Sequence, residues 1–154
     1  TLLAMAGLCI AGEASALVAQ HVFGIQPCPW CILQRVLYLV IAALCLMGAV
    51  ARTSALHKFF AGAALVFASL VAATALYQHF VAAQSSSCNL TLADKIISAL
   101  RLESLAPAMF QVTASCADAA VSVLGVPFEF WSLALAGVLA VAALPVIFER
   151  RARR

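Results

Sequence analysis

The chain has 154 residues, of which 66% are hydrophobic and only 10% charged, with a formal net charge of +3. A soluble domain carries about a quarter charged residues, so the polar coat of a water-soluble globule is missing. Its basic residues sit beside apolar runs, where membrane topology alone calls for Lys and Arg; a nucleic-acid reading is set aside.

A spanning helix needs about 20 mostly apolar residues, and four such runs follow in chain order. Leu2–Phe23 predicts the first span, with Glu13 inside it and Gln20 and His21 near its end. Ala14-Ser15-Ala16 resembles a signal-peptide cleavage site, but the apolar run continues beyond it, so a retained span is expected. Because the chain starts at Thr1, a short cytoplasmic leader is expected before it. A short loop, 24–29, leads to the second span, Trp30–Val50. The loop Ala51–Lys58 carries Arg52 and Lys58, and Phe59–Ala83 predicts the third span. The loop 84–127 is the only long one, and Phe128–Phe148 predicts the fourth span before Arg150, Arg151, Arg153 and Arg154. The expected fold is all-α, an integral membrane four-helix bundle forming a single domain over 1–154. Cytoplasmic loops carry the excess of Lys and Arg. Both termini and the Arg52–Lys58 loop are therefore expected in the cytoplasm of a bacterial inner membrane, and loops 24–29 and 84–127 outside it.

The long loop holds a further element. Thr91–Leu105 reads as a short periplasmic amphipathic helix, with Leu92, Ile96, Ile97 and Leu100 on one side and Asp94, Ser98 and Arg101 on the other. Thr91 and Asp94 resemble a capping box. The helix is expected to lie in the membrane interface with its apolar side down.

The six cysteines divide by compartment. Cys9 and Cys45 fall inside spans, where a free Cys behaves as a small hydrophobe. Cys28 and Cys31 stand at the mouth of the second span, and Cys88 and Cys116 in the long loop, on the side where disulfides persist. The Cys28-Pro29-Trp30-Cys31 motif opens a helix, whose N-terminal partial positive charge favours a thiolate. Arg35 follows Cys31 by four residues and so shares its helical face. An Arg within a span costs about 2.5–3.5 kcal/mol on the insertion scale and marks a functional site by default. Half of a zinc site, completed by His21 and His79, is the competing reading of the motif; an Arg beside it suits anion or quinone chemistry better, and no metal is expected. Cys88 and Cys116 are read either as a static staple of the loop or as a redox-active bond offered to a soluble partner. Gln84-Ser85-Ser86-Ser87 favours the second by leaving Cys88 exposed. Gln20, His21, Tyr77, Gln78 and His79 are expected near the depth of Cys31, as helix ends meeting water or as a pocket for a polar head group. Glu13 must face the bundle interior, in a structural or a proton-handling role.

Taken together, the chain resembles the DsbB family of bacterial inner-membrane disulfide oxidoreductases. The resemblance rests on four spans, a C-x-x-C opening the second with Arg35 beyond it, and a Cys pair in the last outer loop. Gln20-His21-Val22 before Pro27-Cys28, Tyr77, His79 and Trp131 also match. It implies that a reduced DsbA-type periplasmic partner attacks Cys88 and frees Cys116. The Cys28–Cys31 disulfide then reoxidises the loop pair, and Cys31 passes electrons to a bound ubiquinone or menaquinone of the respiratory quinone pool. It further implies Arg35 polarising a quinone oxygen, with His79, His21 and Trp30 around the quinone and membrane lipid about the bundle. Two departures are Gln34, where a Glu is familiar, and the Pro29-Trp30 pair. The vitamin K epoxide reductase type places its loop pair before the C-x-x-C, the reverse of the order here. A non-enzymatic membrane subunit with structural disulfides has no use for Arg35.

Overall fold

The computed structural model describes residues 1–84 and 91–148. Cys88, the serines 85–87 and the four C-terminal arginines lie outside the described residues. Among the described residues, four helices are long and apolar enough to cross a membrane: α1 (Leu2–His21), α2 (Pro29–Val50), α3 (Ser54–Phe80) and α7 (Phe128–Phe148). Between α3 and α7 lie a 3-10 turn (Ala82–Gln84) and the short helices α4 (Leu92–Ala99), α5 (Leu102–Leu105) and α6 (Pro107–Phe110). A two-stranded antiparallel hairpin follows, β1 (Ser122–Val123) with β2 (Val126–Pro127), pairing Ser122 with Pro127. Its turn passes through Leu124 and Gly125, both with positive φ.

The bundle interior is built from small residues. Ala61, Ala64, Ala68 and Val71 form a buried stripe on α3, facing Ala136, Leu139, Ala143 and Val146 of α7. Small side chains let backbones approach closely where lipid supplies no hydrophobic drive between helices. Outward positions stay large and apolar, Val50 79% exposed and Val141 68% exposed among them. Helix α3 packs on α2 and α7, and α2 on α1, whereas α1 meets α7 only over a short stretch. That meeting is at Gly12, where a Cβ would come within 2.7 Å of Leu135 Cδ2.

The third helix starts earlier than the apolar run, at Ser54 rather than Phe59, so Lys58 lies within it and the loop shrinks to 51–53. Thr53 caps it, its side chain accepting the Leu56 N–H at 3.3 Å; a helix can project polar residues beyond its apolar stretch, which hydropathy cannot register. It also ends sooner, at Phe80, and α1 stops at His21.

The expected helix over Thr91–Leu105 is broken. Its capping box is present, with Thr91 N donating to Asp94 Oδ2 at 2.7 Å. Helix α4 ends at Ala99 because Arg101 turns left-handed, with φ of 51°. Contact with the rest of the protein covers only part of its apolar side. Ala93 and Ile97 are buried, Ile97 against Ile32 of α2 and Phe110 of α6. Leu92 and Leu100, assigned to the same apolar side, are 63% and 52% exposed. The helix lies on the start of α2, and protein contact decides which side is covered.

Candidate functional site: three thiols above a buried cavity

The long loop is fastened to the short one. The amides of Thr113 and Ala114 both donate to the Pro27 carbonyl, at 3.2 and 3.3 Å. Ser115 accepts the Asp118 N–H at 3.2 Å in the turn that follows. These bonds deliver Cys116 to the mouth of α2, in one buried cluster with Cys28, Trp30, Ala93 and Ala119.

Cys28 is the N-cap of α2 and is fully buried. Its sulfur accepts the Cys31 N–H at 3.3 Å and lies 2.8 Å from Cys31 Sγ, in thiol–thiol hydrogen-bond contact. On its other side it hydrogen-bonds Cys116, which also receives the Trp30 backbone N–H. The first amides of a helix have no intrahelical acceptor; here two of them point at sulfur. The protonation order follows. Hydrogen bonds to Cys116 first and Cys31 second, together with burial, hold the Cys28 thiol far above its usual range. Cys116 is lowered, chiefly by the hydrogen bond that Cys28 donates to it. Of these two, Cys116 ionises first and Cys28 keeps its proton. The array therefore runs Cys116–Cys28–Cys31.

Cys31 opens onto a cavity of about 960 Å³ between α1, α2 and α7. Its walls are largely apolar, Phe23, Leu135 and Trp131 among them, with the hairpin residues Val123 and Leu124 at one margin. The polar lining includes Glu13, Gln34, Arg35, Tyr38, Gln78, Glu129 and Ser132, beside Cys31. Arg35 is 6% exposed. Its Nη1 donates to Gln20 Oε1 at 2.7 Å and to the Met109 carbonyl at 2.8 Å, and Nη2 donates to the Ala16 carbonyl at 3.4 Å. The guanidinium is thus pinned by α1 and by α6, and it interacts electrostatically with Glu13, Cys31 and Cys28.

Two further polar chains reach the cavity. Gln34 Nε2 donates to Gln78 Oε1 at 2.9 Å, and Gln78 Nε2 donates to Cys31 Sγ at 3.3 Å. His79 Nδ1 shares a hydrogen with Glu129 Oε1 at 2.6 Å. The second oxygens of Glu129 and Glu13 are buried without a partner among the described residues. Buried polar groups are nearly always hydrogen-bonded, so two carboxylate oxygens on one cavity mark a place for a polar ligand or water.

Of the residues singled out in the sequence, Cys28, Cys31, Cys116 and Arg35 come together, and Cys88 lies outside the described residues. Cys31 and Arg35 line the cavity; His79, His21 and Trp30 do not. His79 stands behind Glu129, His21 Nε2 contacts the Ala108 carbonyl at 2.9 Å, and Trp30 packs at a tilt on Tyr77 with ring centroids 4.7 Å apart. Glu129 and the pairing of Gln34 with Gln78 were not foreseen. A carboxylate in the first turn of an apolar span was the signal for Glu129.

The chain is similar to known proteins along most of its length. The family model described as "Disulfide bond formation protein DsbB" matches residues 1–146. Disulfide bond formation protein B 1 of Pseudomonas fluorescens (strain Pf0-1) is 34% identical over 93% of this chain and 85% of its own length. Disulfide bond formation protein B of Azoarcus sp. (strain BH72) is 32% identical over 98% of this chain and 93% of its own. That of Stutzerimonas stutzeri (strain A1501) is 33% identical over 78% of this chain and 76% of its own. A four-span membrane bundle with three of its thiols gathered at the mouth of one helix, this chain belongs to the DsbB family of disulfide bond formation proteins.

Proposed function

We propose that the protein reoxidises a DsbA-type dithiol protein and passes the electrons to a quinone held in the cavity. The observation that carries the reading is the continuous array of Cys116, Cys28 and Cys31, ending at a cavity that also presents Arg35.

The residues present fit a quinone. The cavity is roomy and mostly apolar, as small-molecule sites are. Arg35 is fixed as a donor, and the unpartnered oxygens of Glu13 and Glu129 are acceptors for ring hydroxyls or water. Arg35, Cys31, Glu13 and Tyr38 would hold it; His79 acts through Glu129 and His21 through the Ala108–Met109 backbone. When bound, a quinone supplies a two-electron, two-proton acceptor.

The chain's own steps are thiol–disulfide exchange. In the oxidised protein a partner thiolate attacks Cys88, breaks the Cys88–Cys116 bond and frees the Cys116 thiolate. Cys116 attacks Cys28, forms a Cys28–Cys116 bond and releases Cys31 as thiolate. What supports this order is that Cys116 lies against Cys28, with the Trp30 backbone N–H on its sulfur. The Trp30 amide and the α2 N-terminus hold negative charge on sulfur at this point. Arg35 then holds the charge of Cys31 beside the cavity, in a low-dielectric site where fixed donors act strongly. The partner's second thiolate attacks the partner sulfur of the mixed disulfide and leaves oxidised, expelling Cys88 as thiolate. Cys88 then attacks Cys116 and restores their bond. The freed Cys28 rejoins Cys31, the pair's two electrons going to the quinone that the cavity would hold. The Cys-bearing end of the bundle faces the periplasm and both termini the cytoplasm. The placement of Arg52, Lys58 and the C-terminal arginines supports this orientation. The respiratory pool, ubiquinone or menaquinone, takes the electrons onward.

Quinone reduction, followed by absorbance with a reduced DsbA-type protein as donor, tests the reading. The wild type turns over, while Cys31→Ser and Cys88→Ser do not. Full activity of Cys88→Ser with that donor makes the loop pair a staple, and absence of quinone reduction in the wild type overturns the proposal.

A further inference from the structure

The Cys31 sulfur receives a hydrogen bond that the relay described above does not use. Gln78 is 3% exposed and Gln34 5% exposed, and both line the cavity beside Cys31. A side-chain amide has a donor end and an acceptor end, and its neighbours decide which way it points. Gln34 Nε2 donates to Gln78 Oε1 at 2.9 Å, which leaves Gln78 Nε2 facing Cys31 Sγ at 3.3 Å. The donor end thus meets the sulfur because Gln34 occupies the acceptor end.

We propose that Gln78 is a further catalytic residue, its amide hydrogen-bonding the ionised sulfur of Cys31, and that Gln34 is the positioning residue that turns it. A bond from a neutral donor to a charged acceptor is among the stronger ones. It holds charge on Cys31 without adding a second cation to a site that already contains Arg35. The inference rests on Cys31 being the redox-active thiol next to the cavity. It also assigns a definite polarity to the pair. A carboxylate at position 34 can only accept, so it would take the Gln78 N–H and swing the carbonyl toward sulfur.

The test is the rate at which iodoacetamide alkylates Cys31 in the reduced, detergent-solubilised protein, read on its peptide by mass spectrometry. Gln78→Met, which keeps the volume and removes the donor, slows Cys31 about tenfold, the size of one hydrogen bond to a charged group. Gln34→Glu slows it by at least as much, and adds nothing further in the Gln78→Met background, as expected of two residues acting through one bond. Wild-type rates in both single variants overturn the proposal. A slow Gln78→Met beside a normal Gln34→Glu removes Gln34 as the positioning residue. If Gln34→Glu slows the Gln78→Met protein further, charge alone explains it and the turning of Gln78 is wrong. Should Cys31 of the wild type react no faster than in the denatured protein, it is the redox reading of Cys31 that fails instead. Thermal unfolding of each variant verifies that the bundle is intact.

Discussion

The same residue type occupies two regions of this bundle with opposite surroundings. Cys9 and Cys45 are fully buried in the apolar core, among Met5, Tyr38, Ile41 and the alanines of α3. Cys28, Cys31 and Cys116 are gathered where α2 begins, supplied with two backbone amides, a glutamine amide and the field of Arg35. Burial alone leaves a thiol inert, a packing group slightly more polarisable than a methyl. Burial together with donors aimed at the sulfur favours the thiolate, the form that reacts. The difference lies in what the second region adds around the sulfur, and the comparison can be broken at each of those additions.

The largest effect is expected at Arg35. Arg35→Ala removes the cation and strands Gln20 Oε1 and the Met109 and Ala16 carbonyls. Loss of one preorganised donor to developing charge costs on the order of a hundredfold in rate. Quinone reduction should fall by that order, and a fall below threefold would place Arg35 among structural residues. A smaller effect sharpens the contrast within the array. Cys116 is held below, and Cys28 above, the ordinary thiol range by their shared hydrogen bond. The bond favours the Cys116 thiolate, so Cys116 stays reactive as pH falls below that range. Cys28→Ala removes the donor, and the pH profile of Cys116 alkylation should move upward; an unmoved profile would show that the Trp30 amide suffices. The smallest effect belongs to the core. Cys9→Ala and Cys45→Ala should leave turnover within about twofold and cost about 1 kcal/mol of stability each, as small core truncations do. A collapse of turnover in either would erase the distinction between the two regions.

Much of the architecture was readable along the chain. Four apolar runs of spanning length predict four helices, because backbone groups in lipid must be satisfied within the segment itself. Cys28 at the N-cap with Pro29 behind it announces a helix start, since proline at the first helical position lacks only an N–H that has no partner there. Arg35 one turn beyond Cys31 follows from helical periodicity. The ends were less legible, as at α3, where Thr53 begins the helix before the apolar residues do. Helix α4 was legible as a helix through its capping box, but not in which residues it packs on the protein. Its Leu92 and Ile97 are alike in sequence, and only contact with Ile32 and Phe110 separates them.

The partners of the reactive sulfurs lay beyond reach for a single reason. Cys116 meets Cys28 through amides of Thr113 and Ala114 bonded to Pro27, a closure across more than eighty residues that no local pattern encodes. His79 finds Glu129, and Gln78 finds Gln34, across helix pairs whose rotation about their own axes is set by packing. The sequence by itself determined the membrane, the number of spans and the chemistry available at the head of α2. These follow from apolar length, helical period and the identity of neighbouring residues. Only the tertiary structure decided which sulfur touches which, which carboxylates face the cavity and which amide meets Cys31. Those depend on how helices rotate and loops close, and that is a property of the whole fold rather than of any segment.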